Sequence, residues 1–192
     1  MRSRSMTLLC GILAAFTSAS IALADGSDET TEKVLYDLTG VEYFGGPPQL
    51  FAILEVSPSA RLVEFRWENV VLETYDNVGV PNWGSEAVLG IEAINTAGES
   101  FSEYFFPFPD ANSGPGPFGP VDGSLDLLLV DMFADQSGHV SVLGGSTWED
   151  GSGLPAGHYL SGILALIYAP IPAPGALILL GIAAARSRRR RR

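Results

Sequence analysis

From Arg61 to Glu68 apolar and charged side chains alternate almost one by one, and no other feature restricts the chain as tightly. Val63, Phe65 and Trp67 point one way, while Glu64, Arg66 and Glu68 point the other. Side chains of a strand alternate between two faces, so this segment reads as a strand with one dry face and one wet face. A helix would scatter the same residues around its circumference. Val70, Val71 and Leu72 then follow in direct succession, so the period slips and a bulge or bend is expected there.

The rest of the middle reads in the same way. Over 86–95, Ala87, Leu89, Ile91 and Ala93 oppose Glu86, Val88, Gly90, Glu92 and Ile94. Residues 33–38, 50–56, 101–106, 139–143 and 158–168 are further short β-rich runs. Leu127, Leu128, Leu129 and Val130, inside 125–133, suit a strand buried on both faces. The turn-rich stretches are 45–48, 76–85 and 107–123. The last holds five prolines and four glycines, which predicts a long surface loop and argues against helix or strand. No long helix and no solenoid repeat is legible. About eight short strands with irregular loops predict an all-β, antiparallel β-sandwich, jelly-roll-like, with an immunoglobulin-like sandwich as the alternative.

Charge and cysteine narrow the function classes. All 22 acidic residues fall between Asp25 and Asp150, whereas only Lys33, Arg61 and Arg66 of the 11 basic residues lie in the middle of the chain. Three bases against 22 acids leave that middle at about −19, which repels polyanions and argues against nucleic-acid binding. Cys10 is the only cysteine of the 192 residues. The domain therefore has no disulfide and no thiolate chemistry, and it is held by burial alone.

Both ends carry processing patterns. Arg2 and Arg4 precede an apolar stretch over 6–21, and Ala22-Leu23-Ala24 sets small residues where signal peptidase accepts them. Cleavage between Ala24 and Asp25 is expected, so 1–24 reads as a signal peptide and the protein as exported. At the other end Pro172-Ala173-Pro174 is followed by an apolar run over 175–185. Arg186 and then Arg188, Arg189, Arg190, Arg191 and Arg192 close the chain. The prolines fix an extended backbone, and the arginines hold the tail on the cytoplasmic side as a membrane stop. Eleven residues of helix would span about 16 Å against roughly 30 Å of hydrocarbon, so a short, transient transmembrane helix is expected rather than a permanent one.

This three-part end resembles the PEP-CTERM sorting signal: a Pro-Glu-Pro motif, a hydrophobic helix and an arginine cluster. The family's prolines correspond to Pro172 and Pro174, and Ala173 stands at its glutamate. The resemblance covers 171–192 and leaves the domain at 25–170 untouched. It implies an exosortase-like sorting enzyme as partner, transient membrane contact, and delivery to the cell surface, envelope or exopolysaccharide matrix of a bacterium.

Candidate chemistry within the domain is sparse. His139 and His158 are the only histidines, each read as a residue at the start of a strand, and no G-x-S-x-G nucleophile motif occurs. A secreted hydrolase built on a chance carboxylate pair is the weakest reading, and a non-enzymatic protein is expected, with no cofactor. Asp122, Asp126, Glu149 and Asp150 are candidate loop ligands for calcium, although no EF-hand spacing supports them. Trp83 and Trp148, with Tyr75 and Asn82, are the candidate carbohydrate-binding residues: an exposed aromatic face stacks on a sugar ring, and neighbouring polar groups take its hydroxyls. The plain alternative is that both tryptophans cap the core, and exposure of their rings discriminates the two readings. The first functional expectation is a surface or matrix component. The second is a carbohydrate-binding module, with or without calcium.

Overall fold

Strand β4 (Arg61–Thr74) covers the alternating region and lies inside one of the sheets. The computed structural model describes residues 30–171 apart from 78, 113 and 150. The other strands are β1 (Glu32–Asp37), β2 (Glu42–Phe44), β3 (Gln49–Glu55), β5 (Asp76–Asn77), β6 (Val80–Pro81), β7 (Ala87–Ile94), β8 (Ser100–Phe105), β9 (Pro117–Asp126), β10 (His139–Ser146) and β11 (Pro155–Ala169). A three-residue 3-10 turn, Gly84–Glu86, precedes β7. Two antiparallel sheets result. One has the order β1-β11-β4-β9, with β2 beside β11; the other is β3-β10-β7-β8; β5 and β6 form a small ribbon. The fold is all-β and sandwich-like, as the alternation predicts.

The inner faces close on one core. Leu62, Phe65, Leu164 and Leu166 of the first sheet and Leu54, Leu89, Ile91 and Val142 of the second belong to a single buried cluster. Phe105 bridges the sheets, stacked on Trp67 at 4.2 Å between ring centroids and edge-on to Phe65 at 5.6 Å. Gly123 lies under the Trp67 ring, where an added methyl would collide with the indole. Each buried large apolar side chain contributes about 1.5–3 kcal/mol, so a core of this size needs no cross-link.

The expected slip in β4 is a bulge at Asn69, whose φ is 51°. Its N–H donates to Asp122 Oδ1 at 2.6 Å and its carbonyl accepts from Ser161 Oγ at 3.1 Å, so strands on both sides staple it. Register also shifts in β11 around Ser161 and between β4 and β9 around Val70, so three adjacent strands bulge at one level.

Several expectations need correction. Within 107–123, the residues from Pro117 onward are not loop but enter β9. Among the described residues this strand pairs with β4 alone, and an edge strand tolerates proline because its outer side needs no donor. Conversely, 125–133 is not a buried strand. Only Leu127 and Met132 of the named run and its neighbours are fully buried, while Leu128 is 43% and Leu129 91% exposed. Val130 N–H bonds back to the Leu127 carbonyl at 3.1 Å, which makes the run a turn. The short β2 was not expected. The signal peptide 1–24, the processing residues Ala24, Asp25, Pro172, Ala173 and Pro174, and the arginines of the tail lie outside the described residues. Among the described residues no helix is long and apolar enough to cross a membrane.

The two ends of the sandwich differ in what they carry. Glu32 at the start of β1 pairs with Tyr168 near the end of β11, and Ala169 pairs with Arg61, so the chain enters and leaves the domain at one pole. At the other pole Gly157 faces Thr74 and Pro155 faces Phe44. At about 3.3 Å per residue β11 separates the two poles by roughly 45 Å, somewhat less where it bulges.

Candidate functional site

The candidate carbohydrate residues gather at the pole away from the chain ends. Strand β4 ends at Thr74 and the chain turns through Tyr75 into the β5–β6 ribbon, whose reversal uses Gly79 at φ 77°. Asn82 is 1% exposed; its backbone N–H and side-chain amide both donate to the Tyr75 carbonyl at 3.0 Å. It fixes the loop from beneath and is not a ligand-facing group, contrary to the role read from sequence. Asn77 does similar work, its amide donating to the Pro155 carbonyl at 2.9 Å.

Trp83 follows directly and is 42% exposed. Its N–H donates to Glu86 Oε2 at 3.0 Å, and the Glu86 N–H returns to the Trp83 carbonyl at 3.2 Å. The Glu86 carbonyl in turn accepts from Thr147 N–H at 2.9 Å, next to Trp148, which is 49% exposed. One short turn therefore fastens both tryptophan-bearing segments, and both residues keep close to half of their surface in solvent. Leu154, 53% exposed, stands in the same group of loops. Glu86 and Leu154 were not singled out from sequence; Trp83 stands where a Ser, Thr, Asp or Asn would have marked a turn start ahead of Glu86.

Tyr75 lies to one side, against His158. The Tyr75 hydroxyl and His158 Nδ1 are 2.6 Å apart, and His158 Nε2 stands 3.7 Å from Glu73 Oε2. Glu42 and Glu73 flank His158 in register on β2 and β4. Burial, then the charges of Glu42 and Glu73, push the Tyr75 phenol above its ordinary range, so it faces the imidazole as the protonated phenol. That order resembles an acid–histidine–hydroxyl relay, but the hydroxyl is a phenol held in its weakly nucleophilic form. Nor is His158 an exposed strand-start residue: it sits inside β11 and is partly buried. His139 does begin β10, exposed, with its N–H donating to Asp135 Oδ1 at 2.8 Å.

The calcium candidates are spread out. Asp122 holds the Asn69 bulge, and Asp126 accepts from Leu128 N–H at 2.8 Å. These two are four residues apart on one strand, about 13 Å. Glu149 is at the far pole, near Gly46, and Asp150 lies outside the described residues. Among the described residues no three His, Cys, Asp or Glu side chains come together as a metal site.

No protein-family model matches the chain, and no curated protein matches it either. Among solved structures the chain is similar to the capsid of Ralstonia phage GP4. The two are 15% identical, the match covers 80% of this chain and 92% of that one, and the TM-score is 0.39.

Proposed function

We propose that this is a non-enzymatic protein exported from a bacterial cell. An exosortase-like enzyme sorts it through residues 171–192, and it is displayed on the surface or in the surrounding polysaccharide. Its jelly-roll-like domain engages polysaccharide through Trp83 and Trp148. Export is supported by the order of signal peptide, proline pair, apolar run and arginines in the sequence. The binding role rests on one observation above all: two half-exposed indoles, fastened through Glu86, occupy the pole remote from the departing tail. A tether at one pole leaves the opposite pole free to meet a ligand in the medium. The phenol that occupies His158 supports the non-enzymatic reading.

A glycan array probed with the mature protein tests the binding role. Binding to at least one polysaccharide is expected, and Trp83→Ala and Trp148→Ala should each weaken it by about tenfold or more, the order seen for a lost aromatic stack. Equal binding by wild type and both variants would refute the site, and running the array with and without calcium reads out a metal requirement. Intact mass of the cell-surface protein tests the sorting: loss of the arginine tail is expected, and its retention argues against processing.

A further inference from the structure

We propose that the pole from which the chain leaves β11 is a lipid-contacting surface, with Leu128 and Leu129 set into the outer edge of the bilayer. This rests on the sorting reading, because it requires the apolar run that ends at Ala185 to be in a membrane. The first observation is an aliphatic tip in water. Leu129 is 91% exposed, Leu128 43% and Ile171 51%. The tip is held outward by its neighbours: Leu127 is buried, Leu128 N–H is tied to Asp126 at 2.8 Å, and Val130 N–H returns to Leu127 at 3.1 Å.

The second observation is position. Arg61 Nη2 donates to the Leu128 carbonyl at 3.2 Å, and Arg61 also faces Ala169 across the sheet. The leucine turn and the exit of the chain therefore share one pole. From Ala169 to Gly175, where the apolar run begins, the chain spans at most about 22 Å even fully extended. That is shorter than the roughly 45 Å length of β11. With the tail inserted, this pole is the one held near lipid.

Charge decides the kind of lipid. Glu32, Asp126, Asp131 and Asp135 lie at the same pole, with Arg61 and Lys33 as the bases and His139 beside Asp135, so carboxylates outnumber fixed positive charges there. The contact is therefore apolar, against zwitterionic headgroups such as phosphatidylcholine; anionic lipid is repelled rather than recruited.

The test uses the chain from Asp25 to Arg192, tail still attached, bound to phosphatidylcholine vesicles. Cys10 is removed with the signal peptide, so Leu129→Cys or Leu154→Cys carries a single environment-sensitive fluorophore. A blue shift, with quenching by headgroup-depth nitroxide lipid, is expected at 129 and not at 154. Leu128→Ser combined with Leu129→Ser, both exposed and so compatible with folding, should weaken vesicle partitioning by about tenfold. If the protein floats with vesicles but the 129 probe stays in water, or the double variant partitions unchanged, the lipid-contacting pole is overturned and the sorting reading stands. If it does not float at all, the sorting reading fails, and the lipid contact with it.

Discussion

Replacing Tyr159 by Phe should make the protein more stable. Tyr159 and Tyr43 are fully buried, their rings 5.6 Å apart, and among the described residues neither hydroxyl has a hydrogen-bond partner. Leaving a buried hydroxyl unsatisfied costs about 1–3 kcal/mol, and Phe fills the same volume without it. A gain of about 1–2 kcal/mol is therefore expected in urea melts at pH 7, seen as a higher midpoint with unchanged slope. The alkaline side gives an independent reading. Burial, reinforced by Tyr43, raises the Tyr159 phenol well above its ordinary value; burial does the same for Tyr43, and Tyr168 is pushed up to about 12 by burial and by Glu32. A phenol with a raised folded-state pKa keeps its full contribution below the unfolded value near 10 and loses it as pH rises through the folded one. Each such group lowers stability by about 1.4 kcal/mol per pH unit in that window. The variant should lose stability above pH 10 less steeply than wild type by about that amount. Destabilisation at pH 7, or an unchanged alkaline slope, would refute the reasoning.

Gly123→Ala should cost about 1–3 kcal/mol through overpacking against Trp67, accompanied by a changed Trp near-ultraviolet signal; a neutral result in denaturant melts would mean the ring moves freely. Thr39→Val removes the hydroxyl that, ahead of the backbone N–H, holds the Asp37 carboxyl below its ordinary range. That stabilisation is present above the unfolded pKa and lost as pH falls through the folded one. Wild type and variant should therefore differ in Tm at pH 7 and converge as the pH falls through the lowered Asp37 value; a constant gap would contradict the assignment. Asn82→Ala, which removes the amide under the Tyr75 loop, should lower stability by about 1–3 kcal/mol and weaken glycan binding indirectly, whereas Trp83→Ala should weaken binding with little change in Tm.

Much of the fold was legible because its strands obey a simple period. The slip after Trp67 became the Asn69 bulge, but the faces were only partly legible: Leu62, not Val63, is buried with Phe65 because the register shifts between them, and in β7 Ala87 to Ile91 are all buried. Proline content misled in β9, since composition does not reveal that a segment lies at a sheet edge. Leu127 to Val130 misled in the opposite direction, because four apolar residues in a row look the same in a buried strand and in a turn that exposes two of them. At the candidate site, Trp83 and Trp148 could be named from sequence, but not the Glu86 turn that joins their segments, which depends on a contact between residues 61 positions apart. Asn82 looked like a ligand group because polarity alone does not distinguish an amide facing solvent from one buried under a loop.

The bulges of β4, β11 and β9 fall at one level, which turns three local irregularities into a single crease across the sheet. Strand β4 lies between the other two and pairs with both, so straightening it alone would break its ladders with β11 and β9. Insertions and deletions near Asn69, Ser161 or Val121 must therefore change together or not at all.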